Sequence, residues 1–213
     1  MDRKVISKTK YLAIFATTTL IFIIGLLIGS YITNIKLEKL ERLEQDLRVD
    51  TLALEIEYLL VSENPCNAAN TSSLTDELYN VGIKLDFMEN SLGEKDERVR
   101  ALKEYYSLLE IRHWLFIKKT NKECQNSLIP ILYFYSNKGD CPKCQEQGFV
   151  LNYIRKKHPN ARVYSFDINI NNSAVNTIKT LYNIDQAPSI IVNDSKYIGF
   201  MDSNVIEQTI ESI

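Results

Sequence analysis

The sequence predicts an α/β fold for its last part, residues 127–213: a four-stranded mixed sheet with flanking helices. Before it we predict a basic N-terminus (residues 1–10), one transmembrane helix (11–33) and an all-α segment of three helices (34–126). Three observations lead to this architecture. An uncharged apolar run lies near the N-terminus, three stretches repeat apolar residues every three or four positions, and from residue 128 short apolar runs alternate with helical ones.

Composition limits the classes of function. The chain has 213 residues and a net charge of −2, without the block of lysine and arginine that is typical of nucleic-acid binding. It contains two histidines and four cysteines, at positions 66, 124, 141 and 144. The pair Cys141 and Cys144 lacks the four ligands of a structural zinc site, so we expect no metal and no cofactor. Metal binding by two such pairs across a dimer stays open as an alternative.

The N-terminal region is typical of a membrane anchor. Four basic residues precede an uncharged run of 21 residues, Leu12 to Ile32. At a rise of about 1.5 Å per residue, a helix of this length crosses a bilayer core of about 30 Å. The run is longer than the apolar part of a cleaved signal peptide, which is the minority alternative. We expect a single-pass protein with a cytoplasmic N-terminus and everything after residue 33 outside the cytoplasm.

A GxxxG motif, Gly25 to Gly29, lies inside the apolar run. This spacing lets two membrane helices approach closely, which would give a homodimer. The alternative is that these glycines carry no role, because glycine is common in membrane helices.

Residues 36–62 carry an apolar stripe at helical spacing, interrupted by Glu44 and Thr51. The stripe consists of Leu37, Leu40, Leu47, Leu54, Tyr58 and Val61. It predicts an amphipathic helix, which would dimerise if it formed a parallel coiled coil. We favour a helix that packs on its own chain, because two more helices follow directly.

Two further helices are predicted between residues 72 and 119. The first begins at Ser72 or Ser73, ends near Asn90 and is expected to bury Leu74, Leu78, Val81, Leu85 and Met88. The second runs from about Glu94 to Lys119. The second helix is expected to bury Val99, Leu102, Tyr106, Leu109, His113 and Phe116, with Tyr105, Trp114 and Leu115 beside them. Short connections make the three helices antiparallel neighbours.

This helix order predicts a disulfide. Cys66 follows the first helix and Cys124 follows the third, so both lie at the same end of an up-down-up bundle. A bridge between them is expected outside the cytosol. The alternative is two unrelated buried thiols, because connectivity does not follow from sequence alone.

From residue 128 the chain predicts four strands and three helices. The strands are Ile129–Ser136, Arg162–Ile168, Ser189–Asn193 and Lys196–Phe200, with a tight turn at Asp194-Ser195 before the last of them. The helices begin near Cys141, near Asn171 with Val175, Ile178 and Leu181 on one face, and at Asp202 or Ser203. A helix between the first two strands makes them parallel, and the last two form a hairpin.

The motif Cys141-Pro-Lys-Cys144, called the CxxC below, carries the chemistry. We expect both cysteines on the first turn of a helix that Asp140 caps and in which Pro142 is tolerated. The positive end of the helix dipole would lower a thiol pKa there. Lys143 would act in the same direction, and the carboxylate of Asp140 would oppose it.

The strand before this motif, the CxxC and the pair Ala187-Pro188 before the third strand together resemble the thioredoxin superfamily, in its minimal glutaredoxin-like form, over residues 128–213. The resemblance implies a cis proline that faces the cysteines and contacts substrate together with Ala187. It also implies that Cys141 is the nucleophile and Cys144 the resolving thiol. The sequence departs from thioredoxins in the residues between the cysteines, in Asp140, and in the absence of a buried acid from the first strand.

Two functions from different classes follow. The first is a membrane-anchored thiol–disulfide oxidoreductase that acts on protein thiols or disulfides outside the cytoplasm. The second is a non-enzymatic interaction or redox-sensing module, in which the bond between Cys141 and Cys144 is structural. They differ in the exposure of Cys141 and in how readily the disulfide is reduced.

Overall fold

A computed structural model describes residues 8–68 and 73–213. The helices are α1 (Lys8–Glu63), α2 (Pro65–Ala68), α3 (Ser73–Leu92), α4 (Glu97–Cys124), α5 (Cys144–Lys157), α6 (Ser173–Leu181) and α7 (Ser203–Glu211). The strands are β1 (Ile129–Tyr135), β2 (Ala161–Asp167), β3 (Ser189–Val192) and β4 (Ser195–Ile198). Residues 1–7 of the predicted basic N-terminus, and Ser72 as a helix start, lie outside the described residues.

The predicted membrane segment and the predicted first bundle helix form one continuous helix, α1. No proline or glycine between residues 33 and 63 ends it, so the helical pattern continues across the predicted boundary. The N-terminal part of α1 is long and apolar enough to cross a membrane. Its residues 8–39 are all exposed, including Gly25 and Gly29, so the predicted GxxxG dimer stays a prediction.

The chain divides into two compact units, residues 1–46 and 47–213. In the second unit, Leu47, Thr51 and Leu54 of α1 are buried, and Tyr105 of α4 donates a hydrogen bond to Glu55 (2.6 Å). This part of α1 packs on its own chain, which is the interpretation favoured from the sequence. A coiled coil with a second copy has no support.

Helices α3 and α4 pack antiparallel. Glu89 contacts Lys103 near one end of the pair, and the Thr75 hydroxyl lies 3.5 Å from His113 near the other. The predicted apolar residues of α3 are buried, but α4 departs from its predicted stripe in two ways. Leu115 is exposed, and α4 buries four polar residues outside the stripe, Lys103, Ser107, Glu110 and Thr120. Contacts with the sheet account for two of these, as described below.

Cys66 and Cys124 form a disulfide, which ties the short helix α2 to the end of α4. Cys66 lies in α2 and Cys124 is the last residue of α4. The bridge joins the two positions that the up-down-up helix order brings to one end of the bundle.

The sheet has the strand order β2-β1-β3-β4. Strand β1 pairs parallel to β2 and antiparallel to β3, and β3 forms a hairpin with β4. The hairpin turn is Asn193-Asp194, one residue earlier than the predicted Asp194-Ser195, because these two residues adopt the positive φ (48° and 86°) that a two-residue hairpin turn requires. This is the mixed sheet that the sequence predicts.

Helices cover both faces of the sheet. On one face, Ile131 and Tyr133 pack with Leu151 and Ile154 of α5 and with Ile206 of α7. Because side chains alternate along a strand, their neighbours in β1 point to the opposite face. Along α6, Val175 and Ile178 are buried as expected, whereas Leu181 at the end of the helix is exposed. The predicted apolar face of α6 is therefore one residue too long.

Candidate active site

The two cysteines of the CxxC form a disulfide where α5 begins. Cys144 is the first residue of α5 and only 6% exposed, whereas Cys141 is half-buried. Cys141 lies in the turn before the helix, where its carbonyl accepts a hydrogen bond from the Cys144 N–H (3.2 Å). The expectation that both cysteines lie in the first helical turn is therefore wrong for Cys141. The turn leaves Cys141 as the more accessible of the two residues.

Asp140 does not cap α5. The N-cap position is Lys143, which makes no side-chain capping bond, and the Asp140 carboxylate accepts a hydrogen bond from the Ser136 hydroxyl instead. The exposed ammonium of Lys143 pairs with Glu146 and lies 5.4 Å from the centre of the Phe200 ring. Asp140 and Lys143 thus have other partners, and their effect on a thiol pKa stays a prediction.

The Ala187–Pro188 peptide bond is cis. Pro188 is buried and directly precedes Ser189, which pairs with Phe134 of β1. If this register is continued, Pro188 lies opposite Tyr135, at the end of β1 that leads to the CxxC. Ala187 and Pro188 are therefore at the same end of the sheet as the disulfide. Their contact with a substrate stays a prediction.

A buried ion cluster lies at the end of β2. Lys103 of α4 is 6% exposed, and its Nζ lies 2.8 Å from Glu89 of α3 and 2.8 Å from Asp167 of β2. Burial lowers the pKa of Lys103, but the hydrogen bonds to Asp167 and Glu89 outweigh burial and raise this pKa above its usual value. The amine is therefore a buried cation that joins α3, α4 and the sheet.

Hydrogen bonds connect this ion cluster to the disulfide. Asp167 accepts a hydrogen bond from the Asn169 N–H (2.9 Å), and the Asn169 amide donates to the Ser136 hydroxyl (2.7 Å). The Ser136 N–H points to the sulfur of Cys144 at 3.4 Å. Hydrogen bonds thus link the helical segment to the disulfide of Cys141 and Cys144.

Glu110 is a second buried ionisable residue of α4, and it covers the edge of the sheet. Its Oε1 accepts a hydrogen bond from the Ser165 N–H (2.9 Å) of the edge strand β2. Its Oε2 has no partner of normal hydrogen-bond geometry in the described part of the chain. Burial raises the pKa of Glu110 well above its usual value, and the Ser165 N–H and the Tyr106 hydroxyl offset this only in part.

A cleft of about 950 Å³ lies beside the disulfide, and Cys141 and Cys144 both line it. It is bounded by α3, α4, β1 and α5, so the helical segment supplies part of its wall. Glu110, Lys103 and Tyr135 also contribute to the lining. The disulfide of Cys141 and Cys144 therefore borders a cleft whose walls include the helices α3 and α4 as well as the sheet and α5.

Sequence reasoning missed Lys103, Glu110, Glu89 and Asp167. Each is a charged residue beside apolar ones, and such residues usually belong to a solvated helix face or a strand end. The available signal is spacing: Lys103 and Glu110 are seven residues apart, so they share one face of α4. Periodicity identified a buried face beside that pair but gave no reason to include charged residues in it.

The strand order, the cis proline before β3 and the CxxC where α5 begins define a thioredoxin-like class of fold for residues 129–211. No protein-family model matches the chain, and a search of curated proteins gave no match.

Several solved thioredoxin structures are similar to this chain. They include thioredoxin-2 of the malaria parasite, described as a component of its protein secretion machinery, with 18% identity and a TM-score of 0.34, covering 40% of this chain and 84% of that one. Thioredoxin O2 from Arabidopsis thaliana in its oxidized state has 19% identity and a TM-score of 0.35, covering 47% and 87%. The germline-specific thioredoxin Deadhead from Drosophila melanogaster has 15% identity and a TM-score of 0.33, covering 46% and 93%. Matches this distant carry no argument about activity.

Proposed function

We propose that this protein is a membrane-anchored thiol–disulfide oxidoreductase that acts on protein thiols or disulfides outside the cytoplasm. The observation that carries the proposal is the CxxC geometry: a half-buried Cys141 bonded to a buried Cys144, at the sheet end that holds the cis Pro188. Exchange needs one sulfur that a substrate can reach and a second that resolves the mixed disulfide. The anchor is inferred from the apolar part of α1, and the compartment from the disulfide of Cys66 and Cys124.

The chemistry needs only the two sulfurs and a substrate. In the reduced protein, the Cys141 thiolate attacks one sulfur of a substrate disulfide, the substrate S–S bond breaks, and the departing thiolate takes up a proton. The Cys144 thiolate then attacks Cys141 in the mixed disulfide and releases the second substrate thiol. Two electrons pass from the protein to the substrate, and the reverse sequence oxidises a substrate dithiol.

The surroundings of Cys144 support its role as the resolving thiol. Its sulfur accepts the Ser136 N–H, and its residue begins α5, where helix-terminal N–H groups favour negative charge. Its burial keeps it away from external thiols. Cys141, in the preceding turn, is the residue that a substrate meets first.

The test is a redox titration of the full chain in detergent micelles, with differential alkylation and mass spectrometry for each cysteine. We expect the disulfide of Cys141 and Cys144 to equilibrate reversibly, with a midpoint above about −300 mV, while that of Cys66 and Cys124 stays closed. A Cys144→Ser variant should trap a mixed disulfide on Cys141, and a Cys141→Ser variant should not. If the CxxC disulfide resists buffers that reduce exchange catalysts, it is structural and the non-enzymatic alternative holds.

A further inference from the structure

Helix α3 forms one wall of the cleft beside the disulfide, and it contacts the thioredoxin-like part at two places. The Tyr79 hydroxyl donates to Asn152 of α5 (3.1 Å), and the Arg155 guanidinium lies 3.4 Å from the Tyr79 ring centre. Ten residues further along α3, Glu89 accepts a hydrogen bond from the Asn137 amide (2.9 Å), in the loop before the CxxC. Ten residues of helix rise about 15 Å, which matches four or five residues of extended chain.

Apolar side chains lie on both sides of this space. Ile83 of α3 is half-exposed and Phe149 of α5 is 67% exposed, and both line the cleft. Large apolar side chains left open beside a reactive sulfur offer contact area to a substrate. The cleft volume of about 950 Å³ is at the upper end of the range for ligand sites, roughly 300–1,000 Å³.

The cleft has an excess of acidic groups at the end near the disulfide. Asp86 is exposed and Glu94 is half-exposed, both line the cleft, and neither makes an ion pair within the described residues. The cation Lys103 is neutralised by Glu89 and Asp167. Arg155 lies at the opposite end, stacked on Tyr79.

We propose that this cleft is the substrate site for an extended, cysteine-containing protein segment that carries lysine or arginine next to its cysteine. The proposal rests on the proposed exchange activity and names its substrate class. The length between the two contacts of α3 suits a short segment, the apolar walls pack against it, and the acidic residues attract its basic side chains. Asp86 and Glu94 form the acidic rim of the cleft. A substrate of opposite charge encounters this rim faster, and the effect weakens as salt screens the charges.

The experiment uses the reduced full chain in detergent and three matched substrates. These are disulfide dimers of blocked pentapeptides with a central cysteine flanked by two lysines, two glutamines or two glutamates. Each rate is divided by the rate of dithiothreitol with the same peptide, which removes differences in intrinsic reactivity. At low salt we expect the lysine dimer to react about tenfold faster than the glutamine dimer and the glutamate dimer to react slowest.

Variants show whether the rim causes the preference. The double variant Asp86→Asn with Glu94→Gln should reduce it to less than about threefold, because exposed charge pairs contribute modestly but add. The matched control Glu77→Gln with Glu211→Gln makes the same change in net charge on exposed residues that do not line the cleft. It should keep the full preference.

Each outcome separates this inference from the proposed function. If the reduced protein reacts with none of the disulfides, exchange activity fails. If it reacts with all three peptides at equal normalised rates, or if the rim variant keeps the preference, exchange stands and the cleft assignment is wrong. Two small disulfides, the cationic cystamine and the neutral 2-hydroxyethyl disulfide, form a further pair of substrates. A preference for cystamine without a charge preference among the peptides would show that the cleft binds small molecules, and it would contradict the proposal of a protein segment as substrate.

Discussion

At the scale of single residues, two ionisable side chains of α4 lie in the interior of this protein: the ammonium of Lys103 and the carboxyl group of Glu110. Lys103 has two carboxylates as partners and Glu110 has one strand N–H. A buried ion is tolerated only when such partners replace its water, and it costs stability when one partner is removed. These residues are therefore sites where one substitution should have a large effect.

Replacing Lys103 removes the cation that pairs with the carboxylates of Glu89 and Asp167. We expect Lys103→Met to lower the free energy of unfolding by about 3–5 kcal/mol, because Glu89 and Asp167 then lose their buried partner. The measurement is denaturant unfolding followed by the fluorescence of Trp114, the one tryptophan of the chain. The control Lys157→Met breaks an ion pair in which the lysine is about half exposed, and it should cost at most about 1 kcal/mol. Equal losses in the two variants would contradict the buried role of Lys103.

His113 should make stability depend on pH. Burial, and secondarily the charge of Arg162, lowers the pKa of His113 to about 3, so the folded protein keeps it neutral while the unfolded chain protonates near pH 6.5. The unfolded state then binds more protons below pH 6.5, so the contribution of His113 is present above that pH and is lost as the pH falls toward 3. Relative to His113→Gln, the wild type should lose about 1.4 kcal/mol of unfolding free energy per pH unit between pH 6 and 4.

Glu110 provides a control of opposite sign. Its pKa is raised in the folded state, so its contribution is present below the unfolded value and is lost as the pH rises. The unfolding free energy is measured from pH 4 to 8. As the pH falls, the wild type should become more stable relative to Glu110→Gln and less stable relative to His113→Gln. Parallel trends for the two variants would show that neither residue titrates as described.

At the scale of secondary-structure elements, α4 holds the second unit together. It covers the β2 edge through Glu110, contacts α3 through Lys103, and ends at the disulfide that joins it to α2. Covering an edge strand also removes a surface on which other chains could pair.

Removing the disulfide of Cys66 and Cys124 should destabilise this unit. The two cysteines are 58 residues apart, and a cross-link over such a loop contributes about 4 kcal/mol in the chain-entropy model. The double variant Cys66→Ala with Cys124→Ala should lower the unfolding free energy by about that amount in oxidised protein. The disulfide of Cys141 and Cys144 spans a separation of only three residues. The double variant Cys141→Ala with Cys144→Ala, which removes this bond, should therefore lower the unfolding free energy by about 2 kcal/mol or less. A smaller loss for the long loop than for the short one would contradict this.

Patterns of apolar residues predicted most elements but not their internal charges. The four strands, the capping residue Asp202 and the buried face of α3 follow from alternation, turn residues and helical spacing. The start of α5 does not follow from these patterns. Asp140, the predicted cap, accepts a hydrogen bond from the Ser136 hydroxyl instead, and a capping motif in the sequence does not reveal such an alternative partner. The cleft was also beyond sequence reasoning, since it depends on where α3 lies over the sheet, which local patterns do not specify.

At the scale of the whole molecule, two independent features concern the compartment. The apolar part of α1 is long enough to span a bilayer, and four basic residues precede it. The disulfide of Cys66 and Cys124 is of a kind that persists outside the cytosol. The flanking charges give a weaker signal than the span itself, because Lys36, Lys39, Arg42 and Arg48 follow it.

Orientation is therefore the prediction that tests the compartment directly. We expect protease added to the extracytoplasmic side of sealed vesicles to remove a C-terminal epitope tag and to leave an N-terminal tag intact until detergent opens the vesicles. The reason is that long domains translocate largely regardless of their charge, whereas a short basic N-terminus stays on the cytoplasmic side. Vesicles of opposite orientation serve as the control and should protect the C-terminal tag. Reversed protection would place the CxxC in the reducing cytosol, where the disulfide of Cys66 and Cys124 would not persist, so the same cysteines should then be found as free thiols by alkylation.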